Sequence, residues 1–107
     1  MSPHFFAITH PYRKDFVAEP IDSESEIMID HFEYLKDLMD RGKLYLAGPT
    51  LQEDDPFGIY IFSAETLDET RQKLEDNPSV KAKLQTISVL RSLRISLHDC
   101  SLDAEIE

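Results

Sequence analysis

The stretch SEIMIDHFEYLKDLMDRG, residues 25–42, carries the clearest structural pattern in the chain. Apolar side chains recur at the spacing of one helix face, and charged side chains occupy the opposite face. The apolar set is Met28, Phe32, Leu35 and Met39, flanked by Ile27, His31 and Leu38. Gly42 follows the last periodic residue, which is the usual place for a glycine that ends a helix. We therefore predict an amphipathic helix here, with Ser23 or Ser25 as its N-cap.

Outward from this helix, four segments have the composition or the alternation of β-strands. They are residues 4–10, 43–47, 57–63 and 87–97, and a second helix, with Thr66 and Glu69 as its capping box, is predicted over residues 66–75. The order is strand, helix, strand, strand, helix, strand. This order predicts an α+β fold of ferredoxin-like βαββαβ type, with a four-stranded antiparallel sheet and both helices on one face. The alternation over residues 87–97 is long for one strand, so we expect a bulge within it.

The third predicted strand, FGIYIFS at residues 57–63, is apolar on both of its faces. Ile59 and Ile61 lie on one face, and Tyr60 and Phe62 lie on the other. A sheet that has water on one side alternates apolar and polar residues instead. We therefore expect the face without helices to be covered by a second copy of the chain, which makes the protein a homodimer.

Length and charge limit the possible classes of protein. With 107 residues, the chain is expected to form one domain over residues 1–98, followed by an acidic, frayed tail over residues 99–107. The net charge of −10 and the lack of a basic cluster argue against a nucleic-acid partner. No apolar stretch has the length of a membrane span, and no secretory signal precedes the first strand. Together with the single cysteine, Cys100, these features predict a soluble cytoplasmic protein without a membrane partner.

A few polar residues occupy positions that suggest chemistry. His31 lies at the border of the apolar helix face, where partial burial keeps an imidazole neutral and basic, although an ordinary boundary histidine has the same spacing. Arg91 is the one charged residue on the apolar face of residues 87–97, so it either binds a carboxylate or phosphate or turns towards solvent or an acidic side chain. Asp76, at the end of the second helix, either orients a histidine or is solvated. If His31 and Arg91 share one sheet face, they form a pocket for a small organic acid.

Tyr45 and Tyr60 lie on neighbouring predicted strands, where they either line a pocket or pair in the core. The histidines and Cys100 show no metal-ligand spacing, and the chain contains no phosphate-binding glycine loop and no nucleophile elbow. We therefore predict that the protein uses neither a metal nor a cofactor.

Four short motifs together resemble the YciI-like, or YCII-related, family. They are DHFEYL at residues 30–35, LAGP at 46–49, DPFGI at 55–59 and NPSVKA at 77–82, and the resemblance extends from about residue 5 to residue 97. It implies the dimeric α+β barrel fold and an active site made of a histidine and an aspartate. The histidine corresponds to His31. The aspartate of the family stands directly before the proline, where this chain has Asn77, with Asp76 one position earlier.

The sequence and the resemblance lead to two hypotheses about function. The first is a cofactor-free enzyme of lyase or isomerase type, in which His31 performs acid/base chemistry on a small anionic molecule. Asp76 or Asn77 then orients His31, while Arg91 and the two tyrosines bind the substrate. The alternative is a non-catalytic dimer that binds a small molecule or acts as an accessory protein and has lost the family's pair, because an asparagine cannot stabilise an imidazolium by charge.

Overall fold

The computed structural model describes residues 3–13, 16 and 19–99, which form a four-stranded antiparallel sheet and three helices. The strands are β1 His4–Pro11, β2 Leu44–Pro49, β3 Gly58–Ser63 and β4 Gln85–Leu93, and the helices are α1 Asp22–Asp40, α2 Leu67–Glu75 and α3 Pro78–Lys81. The strand order is β2-β3-β1-β4, and each neighbouring pair is antiparallel. This arrangement confirms the predicted ferredoxin-like α+β fold. The domain limits stay a prediction, because residues 100–107 of the predicted tail lie outside the described residues.

Helix α1 begins earlier than predicted, and neither Ser23 nor Ser25 caps it. Ile21 occupies the N-cap position, and its side chain offers no acceptor for the first backbone N–H groups. The carboxylate of Glu24 instead accepts a hydrogen bond from the Ile21 N–H at 2.9 Å. The predicted serine caps are therefore wrong, because a buried carboxylate in the first turn satisfies the helix start.

The end of α1 is as predicted. Gly42 has a φ of 74°, a conformation that residues with a Cβ rarely adopt. The Lys43 N–H then reaches back to the Leu38 carbonyl at 2.8 Å, which is the backbone hydrogen bond of a Schellman motif. The chain therefore turns sharply at the end of α1 and enters β2 after three residues, Arg41, Gly42 and Lys43.

The core lies between the helices and one face of the sheet. Its buried apolar residues are Phe5, Ala7, Leu35, Leu38, Leu44, Tyr60, Phe62, Ala64, Leu74 and Leu90. Helix α1 contributes Leu35 and Leu38, whereas Phe32 is 64% exposed. The predicted centre of the apolar stripe was therefore wrong: the buried face of α1 is centred on His31 and Leu35, and His31 lies within it rather than at its border.

Strand β4 contains the predicted bulge, and the bulge changes which side chains share a face. Ile8 of β1 pairs with Val89, but Thr9 pairs with Ile87, so Ser88 is the extra residue. As a result, Ile87 and Leu90 both pack towards the helices. The single apolar face predicted for residues 87–97 is therefore interrupted, and β4 itself ends at Leu93.

The other sheet face carries apolar side chains but none of the described helices. Phe6 and Ile8 of β1 and Ile59 and Ile61 of β3 lie there, each half-buried by its neighbours. The described part of the chain contains no helix long and apolar enough to cross a membrane.

Candidate functional site

The site centres on a hydrogen bond between α1 and the start of α3. His31, in the middle of α1, is 9% exposed, and Asn77, the N-cap of α3, is 1% exposed. The imidazole Nδ1 lies 2.8 Å from the Asn77 Oδ1. These residues are far apart in sequence, and the pair forms because α1 and α3 pack side by side over the sheet.

The backbone of α3 determines the orientation of the Asn77 amide. The Ser79 N–H donates a hydrogen bond to Asn77 Oδ1 at 3.0 Å, as an N-cap side chain normally accepts. If the amide were reversed, its NH2 group would face that N–H and the hydrogen bond would be lost. Because Oδ1 therefore faces His31, the imidazole Nδ1 must be the donor. Asn77 Nδ2 is left buried, with no hydrogen-bond partner among the described residues.

Burial sets the protonation state of His31. Loss of hydration lowers the pKa of the imidazole below its ordinary value, and the hydrogen bond to Asn77 opposes this shift with a smaller effect. The ring is therefore neutral at pH 7, with its proton on Nδ1. The Nε2 lone pair has no hydrogen-bond partner within the described part of the chain, so it is available as a base.

A chain of polar side chains, all buried except the half-buried Gln85, connects this pair to the sheet. Ser79 Oγ lies 3.1 Å from His31 Nδ1 and 3.3 Å from the Gln85 Oε1 of β4. The same Gln85 oxygen accepts hydrogen bonds from the Tyr60 hydroxyl at 2.9 Å and the Thr9 hydroxyl at 3.0 Å. Burial raises the pKa of the Tyr60 phenol, so this group keeps its proton and acts as a donor.

Three of the six predicted site residues share this region, and the other three, Asp76, Arg91 and Tyr45, do not. His31 and Asn77 are in direct contact, and Tyr60 is connected to them through Gln85. Asp76 is exposed, and its carboxylate accepts a hydrogen bond from Gln72 Nε2 at 2.9 Å. As the C-cap of α2, Asp76 points away from the core, so it is Asn77, not Asp76, that orients His31.

Arg91 and Tyr45 lie on the opposite face of the sheet from His31. Arg91 pairs with Phe6 across the β1–β4 ladder, and its guanidinium donates to the Leu90 carbonyl at 3.1 Å. Tyr45 packs edge-on against His4, whose side chain shares the Phe6 face. The expectation that Arg91 and Tyr45 join His31 in one pocket is therefore incorrect within a single chain, because the two faces are separated by the sheet.

Ser79, Gln85 and Thr9 are the site residues that sequence reasoning missed. The Asn77-Pro78 pair contained a usable signal for a helix start just before Ser79, since Asn is a preferred N-cap and Pro is favoured at the first helical position. Gln85 and Thr9 carried no such signal in the sequence. A single polar residue near a strand end shows the same pattern whether its side chain is buried or solvated.

A groove of about 480 Å³ lies along α1. It is lined by Phe16, Pro20, Ser25, Met28, Ile29, Phe32 and Glu33. His31 is not part of the lining, since it lies on the buried face of the helix. Within residues 3–13, 16 and 19–99, no three histidine, cysteine or acidic side chains are grouped closely enough to hold a metal ion.

Fold and site together define a small ferredoxin-like α+β protein whose buried polar centre is a histidine–asparagine pair. The model of the YCII-related domain matches residues 4–92 of this chain. The protein therefore belongs to the YCII-related family. No curated protein matches the chain.

Two solved structures show the same fold. One is 5-chloro-2-hydroxyhydroquinone dehydrochlorinase (TftG) from Burkholderia phenoliruptrix AC1100 in complex with 2,5-dihydroxybenzoquinone, with a TM-score of 0.62 and 23% identity over 84% of this chain and 93% of that one. The other is described as protein YJCS, with a TM-score of 0.53 and 12% identity over 90% of this chain and 100% of that one. Both likenesses agree with the ferredoxin-like α+β fold predicted for the subunit.

Proposed function

We propose that this protein is a cofactor-free enzyme in which neutral His31 moves a proton on a small organic molecule. The observation that supports this most directly is that the His31 imidazole is buried and its Nδ1 donates a hydrogen bond to Asn77. Its Nε2 has no hydrogen-bond partner among the described residues. A neutral imidazole held in this way accepts a proton at Nε2. In an isomerisation the proton returns to another substrate atom. In an elimination it is lost to solvent while the departing group leaves with its bonding electrons.

The substrate class that this site supports is a small molecule with an acidic O–H or C–H group. The predicted preference for an anion depended on Arg91, which lies on the opposite sheet face, so we include no charge requirement in the proposal. The dehydrochlorinase of the same fold supplies practical probes: its substrate is a chlorinated trihydroxybenzene, and its bound ligand is 2,5-dihydroxybenzoquinone.

We also propose that the protein acts in the cytoplasm as a homodimer formed through the sheet face without helices. The half-buried side chains of Phe6, Ile8, Ile59 and Ile61 support this, since an apolar sheet face of this kind is stable when another surface covers it. In such a dimer, Arg91 and Tyr45 lie at or near the interface rather than at the His31 site.

A specific observation favours the alternative function, a binding module without catalysis. Asn77 is neutral, so it orients His31 but cannot stabilise an imidazolium by charge, which reduces the advantage of proton transfer. A protein that only binds its ligand has no need for that stabilisation.

The decisive experiment combines thermal stability and turnover in three proteins: the wild type, His31→Ala and His10→Ala. His10 is a half-buried histidine on the opposite sheet face, so His10→Ala controls for loss of an imidazole elsewhere. Each protein is heated with 2,5-dihydroxybenzoquinone. Each is also incubated with 5-chloro-2-hydroxyhydroquinone while chloride release is measured. A ligand at about 100 times its Kd stabilises the folded protein by about 2.7 kcal/mol, a shift that is readily measured.

We expect binding and chloride release in the wild type and in His10→Ala, and the loss of chloride release in His31→Ala. Binding that requires His31 without any chloride release supports the non-catalytic alternative. Equal turnover by His31→Ala and the wild type contradicts the assigned role of His31. If the wild type shows neither binding nor chloride release, both tested compounds, 2,5-dihydroxybenzoquinone and 5-chloro-2-hydroxyhydroquinone, are excluded as ligand and substrate.

A further inference from the structure

The groove along α1 has the size of a ligand-binding site and is separate from the His31–Asn77 pair. Its volume of about 480 Å³ falls within the range of small-molecule sites in proteins, roughly 300–1,000 Å³. His31 does not line the groove, so a ligand bound there would be independent of the proposed proton transfer.

Most of the groove is lined by apolar side chains. The buried ring of Phe16 and the exposed ring of Phe32 both contribute to the lining, together with Ile29. Ile29 is 60% exposed and Phe32 is 64% exposed. Large apolar side chains that are exposed beside a concave surface are typical of a binding site, because a ligand that covers them removes apolar area from water.

The charge beside the groove is negative. Glu33 is the one charged residue among the described residues of the lining, and no described residue forms an ion pair with it. Helix α1 carries seven acidic residues and a single lysine, Lys36, which does not line the groove. Arg13, in the segment before α1, is paired with the buried carboxylate of Glu24. A cationic ligand is therefore attracted to the groove, and an anionic ligand is repelled.

We propose that the groove along α1 binds a small organic ammonium ion that carries an apolar group. The apolar group packs against Phe16, Ile29 and Phe32, and the ammonium group lies beside the Glu33 carboxylate. The face of an aromatic ring also attracts a cation, so the two rings and the carboxylate favour the same ligand charge.

The test compares three probes of similar size and shape. They are 2-phenylethylamine, which is a cation at pH 7, the neutral 2-phenylethanol and the anion 3-phenylpropionate. Backbone amide chemical shifts measure both the affinity and the place of binding. We expect the amine to bind most tightly and the anion most weakly, with shift changes at Ile29, Phe32 and Glu33. Added salt should weaken binding of the amine but not of the alcohol, because it screens exposed charges.

Two variants at exposed positions separate the charge from the apolar surface. Glu33→Gln keeps the shape of the side chain and removes its charge, so it should weaken amine binding by up to about fivefold and leave binding of the alcohol unchanged. Phe32→Ala should weaken binding of both probes, because both lose contact with the ring. Glu26→Gln, exposed on the same helix but outside the lining, is the matched control and should bind the amine as the wild type does.

Several results would overturn the proposal. Equal affinity for the three probes would contradict a site for cations, and so would equal losses of amine binding in Glu33→Gln and Glu26→Gln. No change in chemical shifts with 2-phenylethylamine at millimolar concentration, or changes confined to residues outside the groove, would exclude the groove as its site. A smaller mass of Phe32→Ala than of the wild type in light scattering would show that a second copy of the chain covers the groove instead.

Discussion

Arg13 and Glu24 form a bidentate ion pair that ties the segment after β1 to the first turn of α1. Arg13 Nη2 lies 2.5 Å from Glu24 Oε1, and Arg13 Nε lies 3.0 Å from Oε2. The Glu24 side chain is 2% exposed and also accepts hydrogen bonds from the Tyr12 hydroxyl and the Ile21 N–H. Four donors thus surround one carboxylate, which explains why a charged residue lies in the buried face of α1.

We predict that Glu24→Gln lowers the thermal midpoint at neutral pH, because it leaves Arg13 without its counter-charge. The hydrogen bonds from Arg13 lower the pKa of Glu24 from 4.5 to about 2. A carboxyl group with a lowered folded pKa stabilises the fold above its unfolded pKa, and this contribution is lost as the pH falls towards 2. The difference in thermal midpoint between the variant and the wild type should therefore become smaller as the pH falls from about 4.5 to about 2. Glu26→Gln, at an exposed position of the same helix, is the control.

Asn77→Asp is expected to raise the pKa of His31 by about 1–3 units, because a carboxylate beside Nδ1 stabilises the imidazolium. NMR titration of the His31 ring measures this directly. Asp76→Asn is the control, since the exposed Asp76 carboxylate contacts Gln72 and not His31. An unchanged His31 pKa in Asn77→Asp, or an equal change in Asp76→Asn, would show that Asn77 is not the partner of His31.

The buried His31 should make the protein less stable in mild acid. Burial lowers the pKa of its imidazole in the fold, whereas the unfolded chain has the ordinary value of 6.5. Below about pH 6.5 the unfolded state therefore binds the proton first, and the free energy of unfolding decreases with falling pH. Urea unfolding midpoints measured at about pH 7.5 and about pH 5.5 test this prediction. The midpoint of His31→Gln should decrease less than that of the wild type. Equal decreases in both proteins would assign the effect to other groups.

Gly58→Ala is expected to destabilise the protein by about 1–3 kcal/mol through overpacking. A Cβ on Gly58 would lie 2.8 Å from Thr9 Oγ1 and 3.3 Å from Cε1 of Tyr60, two residues of the buried polar chain. Gly48→Ala on the neighbouring strand is the control, because its Cβ would meet nothing within 4 Å. Urea unfolding of both variants measures the difference. Similar stabilities for the two would contradict the close packing of Gly58 on Thr9.

Ile61→Asp should convert the proposed dimer into a monomer, because it places a charge in the apolar sheet face without helices. Light scattering at micromolar concentration is the measurement. Leu51→Asp, at a position that is 91% exposed, should leave the mass unchanged. A wild type with the mass of one chain would contradict the dimer itself.

Most of the secondary structure was predictable because it depends on residues close in sequence. Gly42 ends α1 and Thr66 accepts the Glu69 N–H at 3.0 Å to start α2, as the local patterns indicate. The short α3 was not predicted. It begins at the Asn77-Pro78 pair, directly after the predicted end of the second helix at residue 75, with Asn77 as its N-cap.

The site was predictable in part. His31 and Asn77 were both candidates, but the choice between Asp76 and Asn77 depended on the direction of each side chain at the end of α2. Phe32 was predicted to be in the core and is exposed instead, because packing around His31 rotates the buried face of α1.

By itself, the sequence determined the order of strands and helices, the apolar character of both faces of β3 and the residue types available for chemistry. These depend on local spacing and on composition. Only the tertiary structure decided that Arg91 lies across the sheet from His31, since the bulge at Ser88 shifts the alternation of β4 by one residue. The tertiary structure also decided that the side chains of Asn77, Ser79 and Gln85 come into contact beside α1. Such contacts join residues distant in the chain, and the free energy of packing the helices onto the sheet, rather than any local preference, selects them.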